Sequence, residues 1–193
     1  MGRAVLIATG MALAMLLSAA ALAVEPEPQP QPEPPAKQAG ALAQEFVSLL
    51  RPRLKQAMAE GGPAGAIAVC ADVAPAIADS LSARSGWNVK RVSLKSRNAS
   101  RAVPDDWERA VLLEFDRRQA AGEDAADISF GEVVTGQYRY MQAQGVEPLC
   151  LLCHGKGLAD DVEQTLRQYY PDDWATGYSV GQVRGAISVS KPL

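Results

Sequence analysis

Cys150-Leu-Leu-Cys153-His154 places three of the chain's four chemically scarcest side chains in five consecutive positions; 193 residues contain three Cys and one His. The spacing C-x-x-C-H is the attachment signature of a c-type haem. On a helical turn, residues three apart point to the same side, so both thiols can meet the two vinyl groups of one porphyrin. His154, next in sequence, can reach the iron from that side as the proximal ligand. Glu147-Pro148 suits a helix start, because Pro is tolerated in the first turn. Gly155 and Gly157 let the chain leave without crowding the macrocycle.

Three other readings use the same atoms. A Cys150–Cys153 dithiol or disulfide leaves His154 as a coincidence, and no βαβ pattern precedes the motif as a thioredoxin-like pair would require. Zinc could be held by Cys70, Cys150, Cys153 and His154, an acceptable structural set, but adjacent Cys153 and His154 close one tetrahedron poorly. Chance is disfavoured by the rarity of both residue types. Covalent haem is the reading that uses all three motif residues at a spacing that suits them.

With His154 engaged, no second histidine exists, so bis-histidine ligation is excluded. Candidates for the opposite side of the iron are Met141, Met58, Cys70, a tyrosine, or an open position. Cys70 lies in the apolar segment Ala66-Ile-Ala-Val-Cys70-Ala-Asp-Val-Ala-Pro75. A small buried core residue is its plain interpretation. An unpaired thiol outside the cytoplasm needs an occupant, however, and a metal would keep the sulfur as thiolate. Arg91, Lys95 and Arg97 alternate along a strand and its exit, so they are expected to share one side. They can serve as carboxylate partners for haem propionates or as a solvated strand face.

The elements that must position these residues follow from periodicity. Leu42, Phe46, Leu49 and Leu50 predict a helix, with Pro52 expected to kink it and Gly61-Gly62-Pro63 to end it. A second helical stretch crosses Ala66–Ala71, breaks at Pro75 and resumes over Ala76–Ala83. Trp87–Leu94 alternates as a half-buried strand, Asn98–Asp106 is a loop, and a helix from Trp107 ends near Gly122. Asp127–Tyr140 predicts two antiparallel strands joined near Gly136, residues 160–170 a further helix, and Val183–Val189 a closing strand. No internal repeat is present. This order of elements predicts an α+β domain with a small antiparallel sheet.

The N-terminus reads as a secretory signal over residues 1–23: a basic start, an apolar run from Ala4 to Leu17, and an Ala21-Leu22-Ala23 cleavage pattern. Those residues hold one charged side chain, Arg3, so cleavage moves the formal charge from −3 to −4. This mild acidity excludes an ordinary nucleic-acid binder. Residues 24–37 carry six of the 13 prolines and predict an extended spacer. Residues 38–193 are then the domain, expected to be periplasmic or otherwise secreted. No later run approaches a spanning length of apolar residues, so the mature form is expected not to cross a membrane.

Five ordered stretches carry a family resemblance: Ala66-Ile-Ala-Val-Cys70 with Pro75, Arg91-Val-Ser-Leu-Lys95-Ser-Arg97-Asn98, Pro104-Asp105-x-Trp107-Glu108, Cys150-x-x-Cys153-His154-Gly155, and Gly177-Tyr178 through Val183-Arg-Gly-Ala-Ile-Ser-Val189. Together they resemble a family of secreted single-haem c proteins with a PAS-like fold, over essentially residues 38–193. One departure is Ala99, where the family tends to have Pro after the Arg-Asn pair. The resemblance implies a PAS-like antiparallel sheet flanked by helices and one covalent haem c. It also implies His/Cys ligation, falling on His154 and Cys70. A redox or small-ligand sensor is the function it suits, with a small gaseous ligand or a redox protein as partner. An electron carrier that keeps both ligands is the alternative. A haem peroxidase is disfavoured, because no distal histidine is available for acid–base work. Exported protein is expected to begin at Val24, which N-terminal sequencing reads directly; a start at Met1 would refute the cleavable signal.

Overall fold

Glycine and proline positions explain how the long N-terminal helical run is divided. The computed structural model describes Met1 and residues 33–193, so the expected signal and most of the Pro-rich spacer lie outside the described residues. Helix α1 spans Pro35–Ala68 and begins inside the stretch expected as spacer, because Pro35 sits where a helix needs no N–H donor. Pro52 does not end it; the exposed carbonyl it leaves unpaired can face water. The break comes at Gly62, whose φ of 63° departs from the helical path. A five-residue π-helical turn, Val69–Val73, follows and leads directly into α2, Ala74–Ser85. Pro75 therefore opens α2 rather than interrupting it. By length and composition alone this run, which holds an 18-residue stretch of mean hydropathy 1.5, could cross a membrane. Its Phe46, Ala74, Ala78 and Leu81 instead pack on the sheet.

That sheet has four antiparallel strands in the order β1-β4-β3-β2, from β1 Asn88–Val92, β2 Ser129–Val134, β3 Gln137–Gly145 and β4 Val183–Pro192. The β2–β3 hairpin turns at Thr135-Gly136, where the sequence places it. Expectation and structure agree on an α+β domain. Strand β1 is shorter than the expected Trp87–Leu94, and β4 runs three residues further.

Opposed residues share a face, so the registers assign each side of the sheet. One face carries Val89, Ile187 and Val189 against Ala39, Ala43, Phe46 and Leu81 of α1 and α2. The other carries Val92, Met141, Ala143 and Ala186 against Val111, Leu112 and Phe115 of α3, Asp106–Ala120. A capping box starts α3: the Asp105 side chain accepts from the Glu108 N–H at 2.9 Å, and the Glu108 carboxylate accepts from the Asp105 N–H at 2.9 Å. A third apolar cluster joins Ile67 of α1 to Val162, Leu166 and Tyr170 on and beside α5, Asp160–Tyr169.

Between β3 and β4 the ladder slips: Gln144 faces Gly185 and Gly145 faces Val183, leaving Arg184 unopposed. This is a β-bulge, which re-aims one side chain. It depends on glycine. A Cβ at Gly185, where φ is +157°, would lie 2.4 Å from the Val92 carbonyl oxygen, a backbone atom that cannot yield. Gly185→Ala is therefore expected to destabilise the fold by about 2 kcal/mol or more. Thermal unfolding checks this; an unchanged midpoint would show that the bulge tolerates a side chain.

Candidate functional site

The C-x-x-C-H segment forms one compact turn: a short 3-10 element, Pro148–Cys150, continues into α4, Leu151–His154. Both thiols thus sit on a helical turn, as their spacing requires. The three cysteines form no disulfide with one another. The Cys150 sulfur accepts from the Glu147 N–H at 3.4 Å, and the Cys153 thiol points at the Pro63 carbonyl at 3.8 Å, just past the α1 break. Burial pushes the Cys153 thiol up to about 11, against the opposing pull of Arg97.

The histidine is oriented from behind. Its Nδ1 lies 2.7 Å from the Ala175 carbonyl oxygen and 3.1 Å from Arg184 Nε. A carbonyl can only accept, so Nδ1 carries the proton, and the Arg184 contact is a close approach rather than a second hydrogen bond. Nε2 keeps its lone pair, the arrangement of a metal-binding imidazole. Burial, with the Arg184 and Arg97 cations, holds His154 well below its ordinary range and therefore neutral. The Tyr178 ring stands edge-on at 6.3 Å.

Arg97 fastens this turn to the body. It pairs with Asp173 at 3.0 Å and donates to the Cys153 carbonyl at 2.5 Å and to the Ala175 carbonyl at 3.4 Å. Both members of the ion pair are nearly buried. The loop beyond is zipped to the motif by Gly177 N–H to Gly155 O at 2.8 Å and Tyr178 N–H to His154 O at 2.9 Å.

A cleft of about 1150 Å³ opens beside the motif. One wall is apolar, formed by Phe46, Leu50, Leu54, Met58 and Ile67 of α1, and it holds Cys150 and Cys153. An adjoining cleft of about 790 Å³ is lined by Lys90, Arg91, Arg97, Arg101 and Arg184. Cys70, Arg91, Arg97, Gln144, His154, Tyr170 and Arg184 border both spaces, so they mark the junction. Cys70 reaches it from the π-helical turn. Burial pushes the Tyr170 phenol up to about 12.

The sequence-predicted residues separate here. Cys150, Cys153, His154, Cys70, Arg91 and Arg97 come together. Lys95 does not: it lines a different cavity of about 860 Å³, with its ammonium 5.0 Å from the centre of the Tyr178 ring. The expectation of one shared side for Arg91, Lys95 and Arg97 is corrected, because β1 ends at Val92 and the strand alternation ends with it. Met141 is fully buried on the α3 face of the sheet, away from the cleft, whereas Met58 lines it. Among the described residues no three His, Cys, Asp or Glu side chains group as a metal site, which leaves the zinc reading without geometric support. Arg184 is the residue that sequence reading missed. Its signal was present in an arginine followed by glycine inside an apolar strand, a pattern that marks a bulge.

Residues 14–192 match the Tll0287-like family. The chain belongs to that family. Among solved structures, the Tll0287-like fold is similar to the crystal structure of the cyanobacterial heme-protein Tll0287, with a TM-score of 0.58 and 25% identity. The likeness covers 79% of this chain and 89% of that one. No curated protein matches the chain.

The Arg97–Asp173 pair should be costly to break, because either partner alone leaves a charge nearly buried. Arg97→Ala and Asp173→Ala are each expected to cost about 3–5 kcal/mol, read from denaturant midpoints. A loss under about 1 kcal/mol would place the clamp elsewhere.

Proposed function

We propose that this member of the Tll0287-like family is a secreted single-haem c protein of PAS-like architecture. In this reading Cys150 and Cys153 carry the haem as thioethers, His154 is the proximal ligand and Cys70 the distal one. The protein acts in the periplasm as a redox or small-ligand sensor. One observation carries this reading: the cleft beside the two thiols is lined mainly by apolar α1 side chains, with Lys55 and the Arg51–Glu147 ion pair, and the adjoining one is cationic, with His154 and Cys70 at the junction. Haem is divided in the same way, with vinyl groups on an apolar macrocycle and two carboxylates on the opposite edge. The residues therefore fit the group, and the similar solved protein is described as a heme-protein.

When bound, the haem supplies reversible one-electron chemistry and an iron that can take small ligands. The chain's residues account for the rest. Ala175 fixes the imidazole tautomer, and the neutral ring offers Nε2 as a donor. The apolar wall of α1 excludes water from the macrocycle side. As a thiolate, Cys70 would favour ferric iron and lower the potential below that of a His/Met site. Its position on a π-helical turn supports a functional role, because such turns recur at functional sites. The solvent-exposed Leu149 and Leu152 beside the motif favour a second reading, docking of a redox partner for electron transfer.

Expression with haem-c maturation is expected to yield a mass gain of one haem and a low-spin Soret band; a haem-free or zinc-loaded product would overturn the reading. Cys70→Ser should keep the covalent haem and lose the thiolate-type spectrum, whereas an unaltered spectrum removes Cys70 as ligand. Carbon monoxide added to the reduced protein should displace a protein ligand if the chain senses, and an inert spectrum favours the carrier.

A further inference from the structure

Five basic side chains line the cationic cleft, and three of them are neutralised within the protein. Lys90 lies 2.9 Å from the buried Glu108 carboxylate, Arg97 pairs with Asp173, and Arg101 pairs with Asp79. Two remain. Arg91 forms no ion pair among the described residues, and it borders both clefts. Arg184 meets only neutral groups: it donates to Ser93 Oγ at 2.7 Å and to the Lys95 carbonyl at 3.1 Å, and it approaches the His154 ring. Arg184 is half-buried, and burial pulls its guanidinium down to about 10. A charge in such a place is costly unless an opposite charge meets it.

The fold has gone out of its way to create this situation. In an unbroken β4, alternation would send Arg184 to the side of the sheet that holds α3. The bulge at Gln144/Gly145 turns it into the cleft, and Gly185 permits the bulge. Two uncompensated guanidinium groups at one end of the cleft call for two anionic groups on one ligand, and guanidinium is suited to bidentate carboxylate binding.

We propose that Arg91 and Arg184 hold the two carboxylates of the haem, an inference that rests on the reading above. Arg97 is committed to Asp173 and Lys95 to another cavity, so neither takes this role. Arg184 also lies 3.1 Å from His154, so the carboxylate edge and the proximal ligand would lie beside the same side chain. Loss of either cation leaves a carboxylate charge uncompensated near the iron, which favours the ferric state and lowers the midpoint potential.

The test has two arms, both on the full chain. In covalently loaded protein, Arg91→Gln and Arg184→Gln should shift the propionate bending bands in resonance Raman spectra and lower the midpoint potential, while Lys95→Gln should change neither. Unshifted bands in both Arg variants would overturn the assignment. In a Cys150→Ala/Cys153→Ala background, haem should bind about tenfold or more tightly than its dimethyl ester, Arg184→Gln should shrink that preference, and Arg91→Gln with Arg184→Gln should erase it. Equal binding of haem and ester by the parent would also overturn it. A wild-type chain that acquires no haem at all fails the functional reading itself, an outcome distinct from haem held without these arginines.

Discussion

One buried guanidinium holds the candidate site together. Arg97 reaches from the exit of the first strand to a carboxylate on the loop after α5, and its remaining donors end on the carbonyls of Cys153 and Ala175. Ala175 in turn fixes His154. A single side chain thus sets the distance between the sheet, the two-cysteine turn and the loop that orients the imidazole. Charge-assisted bonds of this kind are short and directional, and here they are shielded from solvent, where they are strongest. The turn itself has few buried residues and could not keep its place by packing alone.

The sheet divides labour between its two sides. Toward α3 it is an ordinary core, closed by Phe115, Ile128 and Met141. Toward α1 and α2 it is well packed at one end by Trp87, Val89 and Val189 and opens at the other into the cleft. The open end is where β3 and β4 slip register. The helical run opposite is also irregular there, breaking at Gly62 and widening at Val69–Val73. Regular structure supplies stability, and the departures from regularity supply the space and aim the side chains.

Much of this was legible in the sequence, for definite reasons. The two-cysteine turn was readable because its residues are rare and its chemistry depends on local spacing. The β2–β3 hairpin was readable from Gly136 and the alternation around it. Pro75 misled: it opens a helix in the first turn, where a missing N–H costs little, rather than breaking one, and Pro52 does not split the helix it lies in. The grouping of Arg91, Lys95 and Arg97 assumed that strand alternation continues past Val92, and it does not. Arg184 was hidden because its direction depends on the register between two strands about 40 positions apart in sequence. Periodicity within one segment carries no information about such a slip.

The order of elements along the chain is also an order in time. Strand β4 lies between β1 and β3, yet it follows both of them and the two-cysteine turn in sequence. A chain made from its N-terminus presents both thiols while the middle of its sheet is still missing, and neither β1 nor β3 can close on the other without it. Until that last strand enters, the cleft lacks the wall that Arg184, Gly185 and Ala186 supply.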